Sequence, residues 1–140
     1  LGSGLAESRE LTAAAWINPA SSKSMRILEK PGNEFIFDIL AGKLRLISTA
    51  GTFGGTAAVP AGRWSHVAVT IAPGTLRLFL NGEPCGEARS GRPLTLSAGP
   101  LLIGTTPDGR YSFNGSLADL RLYNRALTPA EISTLHAGGR

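Results

Sequence analysis

Cysteine is almost missing from this 140-residue chain. With Cys85 alone, no disulfide can form within it, and stability has to come from a packed core, with or without a bound metal. Histidine is nearly as scarce, with His66 and His136 the only two. A zinc site takes three or four His, Cys or acidic ligands, and a nucleophilic triad needs an oriented histidine beside its nucleophile. Cys85, directly after Pro84, offers neither setting, so all three side chains read as structural. Ten acidic residues leave little room for glycan hydrolysis, which needs two carboxyl groups facing each other across the sugar. The one pair in a plausible strand is Glu34 and Asp38, in Glu34-Phe35-Ile36-Phe37-Asp38, which a period of two puts on one face. The plainer arrangement of that segment turns Phe35 and Phe37 to the core and both acids to solvent. Also missing are a run of eighteen apolar residues and a signal-like start, so membrane insertion is not expected and no export signal shows. No cluster of Lys and Arg with interleaved aromatics argues for nucleic acid.

What the chain does contain is glycine and proline, 18 and 9 residues, against an apolar fraction of 42%. Many short strands separated by turns fit that balance, and a disordered segment does not. The length suits a single domain with a two-sheet core. Net charge is +4, and 11 of the 14 basic residues are arginine, a balance that favours acidic partners such as sulfated or uronic-acid glycans.

Residues 1–10 form a lead-in without strand period, and 11–140 the domain proper. Strands are predicted at 11–18, 25–30, 34–40 and 43–48, with turns at Pro31-Gly32-Asn33 and Ala41-Gly42. Ala50-Gly51-Thr52-Phe53-Gly54-Gly55-Thr56 is glycine-rich and reads as a flexible loop flanking a binding face. Further strands are expected at 63–71, 75–80, 83–88, 94–96 and 100–104, and Asn81-Gly82 is the strongest hairpin signal. After a polar loop at 105–114, an alternating strand runs into Thr128-Pro129-Ala130-Glu131, a capping box with proline at the first helical position. Leu127 and Ile132 are spaced for a hydrophobic staple.

The closing run, Phe113-Asn114-Gly115-Ser116-Leu117-Ala118-Asp119-Leu120-Arg121-Leu122-Tyr123-Asn124-Arg125-Ala126-Leu127, resembles the last strand of laminin-G-like, concanavalin A-like jelly rolls of secreted bacterial proteins. Leu11-Thr12-Ala13-Ala14-Ala15-Trp16-Ile17-Asn18-Pro19, Gly62-Arg63-Trp64-Ser65-His66-Val67, Leu76-Arg77-Leu78-Phe79-Leu80-Asn81-Gly82 and Pro100-Leu101-Leu102-Ile103-Gly104 match in the same order, so the resemblance covers residues 11–135. It implies an all-β fold, a two-sheet antiparallel β-sandwich jelly roll with a short C-terminal helix. Retaining hydrolases on this fold carry three acids at alternate positions of one strand, and Ile36 occupies the middle one here. Calcium is implied between the first strand and an acid of the last strand; Asp119 is the candidate, with Ala118 where a second acid is usual. The family's longer first strand, with its glycine and acids, is not recognisable, which leaves a sheet edge for a neighbouring domain or chain to complete.

The fold hosts lectins, carbohydrate-binding modules, adhesion domains and enzymes, so function has to be argued from a site. Trp16 and Trp64 match packing positions, which leaves the loops and middle strands to meet a ligand. Phe53, and Tyr111 beside Asp108 and Arg110, are the candidate stacking groups; Arg26, Lys30, Asn33 and Arg45 are candidate polar contacts. The expectation is a non-catalytic, extracellular or cell-surface module that binds a polysaccharide or other glycan as part of a larger protein. A protein-interaction or adhesion domain, a structural spacer and a glycan-cleaving enzyme are the alternatives.

Overall fold

The computed structural model describes residues 9–140, so most of the 1–10 lead-in lies outside the described residues. The first element, β1 (Leu11–Pro19), is followed by β2 (Met25–Lys30), β3 (Phe35–Leu40), β4 (Lys43–Ser48) and β5 (Gly51–Ala58). Next come β6 (Ser65–Ala72), β7 (Thr75–Leu80), β8 (Glu83–Arg89), the short β9 (Leu102–Ile103), β10 (Gly115–Tyr123) and one helix, α1 (Pro129–Ala137). Two five-stranded sheets result, the first ordered β10-β1-β6-β7-β8 and the second β5-β4-β3-β2-β9. Every strand pair is antiparallel, including β1 with β10, in which Thr12 lies opposite Tyr123. The expected jelly-roll sandwich is the observed one. In the described residues the neighbour of the last strand is β1 itself.

Alternation places the core. Ala13, Ala15 and Ile17 of β1, Val67, Val69 and Ile71 of β6, and Leu76 and Leu78 of β7 face Phe35, Phe37 and Ile39 of β3 and Leu44 and Leu46 of β4. Truncating a ring such as Phe37 in such a core costs about 3–5 kcal/mol. The outer face of the first sheet is covered as well: Ala14, Ala68 and Phe79 pack against Leu127 and Ile132. Small alanines at the centre of that face let α1 approach closely, and the helix start is fixed as its sequence predicts. Thr128 accepts from the Glu131 N–H while the Glu131 carboxylate accepts from the Thr128 N–H.

Residues 51–58 correct one expectation. They form β5, hydrogen-bonded along β4, rather than a flexible loop. The glycines serve close approach. A Cβ at Gly55 would stand 3.3 Å from the Cys85 carbonyl oxygen, and one at Gly86 would stand 3.3 Å from that of Gly54. Thr56 Oγ1 donates to the Cys85 carbonyl at 3.1 Å, so the edges β5 and β8 close one side of the sandwich without a covalent link. Burial pushes the Cys85 thiol up to about 11, away from reactivity. Residues 94–96, expected as a strand, instead belong to the long connection from β8 to β9, which buries Leu94 and Leu96 in the core.

Candidate functional site

The outer face of the second sheet carries charge where that of the first carries alanine. Arg26, Asp38 and Arg45 stand side by side on β2, β3 and β4, in the ladder register Arg26 to Asp38 to Arg45. Asp38 is only 1% exposed and is held from both sides. Arg26 Nη1 donates to Asp38 Oδ2, and Arg45 donates from Nε to Oδ1 at 3.0 Å and from Nη2 to Oδ2 at 2.7 Å. Arg26 Nε also donates to Glu29 Oε1 at 2.7 Å. Hydrogen bonds to the Asp38 carboxylate hold the Arg45 guanidinium protonated even more firmly than usual.

The acids thus differ from the solvent-facing pair expected at Glu34 and Asp38. Phe35 and Phe37 do face the core, but Asp38 is buried in an ion cluster. Glu34 lies in the turn before β3, and its carboxylate accepts from the Ser97 N–H at 2.6 Å and from Ser97 Oγ at 2.8 Å. Those hydrogen bonds lower its pKa from the usual value. Two carboxylates committed in this way, one to arginines and one to a loop, are not arranged as acid and nucleophile across a sugar.

Against the ion cluster lies the connection from β9 to β10. It runs alongside β2, where the Arg26 N–H donates to the Tyr111 carbonyl at 2.7 Å and the Gly104 N–H to the Ile27 carbonyl at 2.9 Å. Asp108 organises its tip: Oδ1 accepts from Thr106 Oγ1 at 2.5 Å and from the Arg110 N–H at 3.1 Å. These bonds lower the Asp108 pKa, the Thr106 hydroxyl contributing most. Tyr111 takes a left-handed backbone conformation, φ 50°, which throws its ring outward, and it is 55% exposed. The Arg26 guanidinium sits 5.3 Å from the ring centroid, a cation–π contact that backs the ring from the sheet side. Between ring, loop and strand lies an open depression of about 350 Å³, lined by Arg26, Glu29, Thr106, Pro107, Asp108, Arg110 and Tyr111.

Five of the eight candidate ligand-contacting residues, Arg26, Arg45, Asp108, Arg110 and Tyr111, therefore meet in one place. The other three do not. Phe53 is half-buried on the inner side of β5, packed against the core with its ring beside Gly86, so it is no exposed platform. Lys30 is buried, its Nζ donating to Ser97 Oγ at 3.1 Å, and Asn33 is exposed in the β2–β3 turn, φ 59°. Lys30 is four residues along β2 from Arg26, about 13 Å by strand rise. Asp38, Glu29 and Thr106 went unnamed as ligand contacts. Asp38 had a signal: the two-residue turn Ala41-Gly42 fixes Leu40 opposite Lys43 and hence Asp38 opposite Arg45.

Asp119 is exposed and sits at the irregularity where β10 crosses β1, in a left-handed conformation with φ 52°. Among the described residues no group of three or more His, Cys, Asp or Glu is arranged to hold a metal ion. Asp119 brings one carboxylate, whereas calcium takes six to eight oxygens. Trp16 and Trp64 are half-buried and lie outside the central core. Trp16 packs beneath the end of α1, 5.7 Å between ring centroids from His136, and the Arg140 guanidinium lies 3.8 Å from the Trp64 ring.

A sequence profile of the concanavalin A-like lectin/glucanases superfamily matches residues 1–133. The chain belongs to that superfamily. Adhesion G-protein coupled receptor V1 of Danio rerio is 37% identical over 76 residues, which is 52% of this chain and 1% of the receptor. Usherin of Rattus norvegicus is 27% identical over 145 residues, covering 92% of this chain and 3% of usherin. The chain thus spans only a few per cent of these curated relatives. A putative carbohydrate binding protein from Bacteroides ovatus superposes with a TM-score of 0.79 at 20% identity, covering 89% of this chain and 40% of that one. Domain 4 of an extracellular GH43 arabinanase from Geobacillus stearothermophilus, solved with arabinotriose, does so at 0.75 and 19% identity, covering 95% and 69%. At these identities the likeness speaks for the lectin/glucanase fold. No helix among the described residues is long and apolar enough to cross a membrane.

Proposed function

We propose that this lectin/glucanase-superfamily domain is a non-catalytic extracellular binding module that takes a glycan chain on the outer face of its second sheet, against Tyr111. The observation that carries the reading is an exposed tyrosine ring backed by Arg26, with hydrogen-bonding groups from Thr106, Asp108 and Arg110 around one depression. A ring held in this way loses little freedom when a pyranose stacks on it, and the polar rim fixes the sugar's orientation. The solved carbohydrate-binding proteins of the same fold support the class of ligand.

Charge at the site argues for a neutral chain. Arg26, Arg45 and Arg110 each face a carboxylate, from Glu29, Asp38 or Asp108, so the net charge of +4 is not expressed here. Titration by calorimetry against neutral and acidic polysaccharides, each at low and high salt, tests this. Neutral chains should bind with an affinity that salt hardly changes, and Tyr111→Ala should weaken it at least about fivefold, the loss of roughly 1 kcal/mol of stacking. Retention of no polysaccharide, or full affinity in Tyr111→Ala, would sink the reading. The similarity to an adhesion receptor favours a second one, a protein-interaction domain, which gains if glycans fail while a defined protein complex forms.

A further inference from the structure

On the opposite side of the molecule, α1 is fastened to the first sheet in two ways. Its first turns are held by apolar contacts, Leu127 and Ile132 on Ala14, Ala68 and Phe79. Its last turn is held by a cluster of one indole and two imidazoles. The ring of His66 on β6 meets Trp16 of β1 edge-on at 5.2 Å, and His136 of α1 lies 5.7 Å from Trp16 and 6.3 Å from His66. His136 also rests on the β7–β8 turn, where a Cβ at Gly82 would come within 3.1 Å of its Nδ1. His66 is 3% exposed, and its Nδ1 has no hydrogen-bond partner. Its backbone N–H donates to Asn81 Oδ1 at 2.8 Å, which holds β6 to the turn after β7, and a proton placed on Nδ1 meets no acceptor.

Charge entering this cluster meets only its own sign. Facing His66 are Trp16 from β1, which is uncharged, Arg121 from β10 and His136 from α1. Glu83, next to Gly82, is exposed, and Glu131, at the far end of α1, is held by Arg125. Burial first, then His136 and Arg121, pull the His66 pKa down to about 4, so the native packing excludes the imidazolium. Release of α1 relieves the first two of these causes at once, because it readmits water and removes His136.

We propose that the neighbouring imidazoles of His66 and His136 make the seat of α1 acid-labile, so that acidification frees the helix and bares the Ala14–Ala68–Phe79 face while the sandwich stays folded. A neutral His66 ring packs against Trp16 and holds; a charged one faces Arg121 and seeks water. The helix α1 rests on this cluster at its last turn and is too short to persist without tertiary packing, whereas the two-sheet core has no histidine in it.

Amide hydrogen exchange of the full chain at about pH 7 and about pH 4.5, corrected for intrinsic rates, tests this directly. Protection in residues 130–137 should fall about tenfold or more relative to β3 and β4, and His136→Gln, which removes the imidazole facing His66, should blunt that fall. Loss of protection in α1 and in β3 and β4 in parallel would overturn the proposal, as would an equal fall in His136→Gln. An NMR titration of the His66 ring in the unmodified protein is independent of any variant. A ring that takes up its proton near the ordinary 6.5 while α1 stays protected would also overturn it.

Discussion

The two outer faces of this sandwich solve the same problem in opposite ways. Each sheet has an inner face committed to the core and an outer face left over. On the first sheet that face is built of small apolar residues and roofed by α1, with Leu127 and Ile132 filling the space above Ala14 and Ala68. The second sheet has Arg26, Asp38 and Arg45 there, a cluster that needs no roof because its charges satisfy one another. Stability is thus obtained on one side by covering and on the other by pairing. On the paired side Tyr111 stands exposed beside an open depression.

Removing the buried carboxylate is the sharpest way to break this contrast. Asp38→Ala leaves two guanidinium groups side by side without their shared partner, and should lower unfolding free energy by about 2–4 kcal/mol in urea titration. The same variant should lose glycan binding, since Arg26 would no longer be held beneath Tyr111. Ala68→Leu attacks the other face by overfilling the space under α1, at an expected cost of about 1–3 kcal/mol, with glycan affinity unchanged. If it reduced affinity as much as stability, the two faces would not be independent. Loss of the helix cap in Thr128→Ala should cost about 1 kcal/mol, again without effect on binding.

Acid should then act on the roofed face first. His66 has a folded pKa near 4 against an ordinary 6.5, so its contribution is complete above 6.5 and is lost as pH falls towards 4. Glu131 is pulled down to about 2, chiefly by Arg125, so its contribution is complete above its ordinary 4.5 and is lost only as pH falls below that. Unfolding curves collected in steps of pH should show the histidine loss before the carboxylate loss. In His66→Phe, if it folds, the decline between 6.5 and 4.5 should be flatter. The smallest effect belongs to Arg110→Ala: its side chain is 78% exposed and paired only with Asp108, so stability should stay within about 0.5 kcal/mol.

Most strand positions and the helix cap were legible because they rest on local signals that tertiary structure did not override. Leu11 to Pro19, the hairpin turns and the Thr128 cap each state their own geometry. The loop reading of residues 50–56 failed because glycine stands for freedom when read locally, whereas at Gly54, Gly55 and Gly86 it permits two backbones to touch. Half of the ion cluster could be counted off from Ala41-Gly42. The other half could not, because an irregularity between Arg26 and Leu28 shifts the β2 register by one residue and alone brings Arg26 opposite Asp38. Tyr111 and its loop were visible as a polar stretch beside an aromatic, but their seat against β2 depends on backbone hydrogen bonds between residues 85 positions apart.

The pairing of β1 with β10 has a mechanical consequence. Thr12 lies opposite Tyr123, Thr12 Oγ1 donates to the Arg125 carbonyl, and the Glu10 carboxylate accepts from the Ala126 N–H, so the start of β1 and the end of β10 are joined at one corner by a few hydrogen bonds, while α1 carries the chain on to Arg140 beside Trp64. Tension applied to the two ends would first draw α1 off the first sheet and only then load those bonds, one after another from that corner. Lengthening would come in two steps, the helix before the sheet.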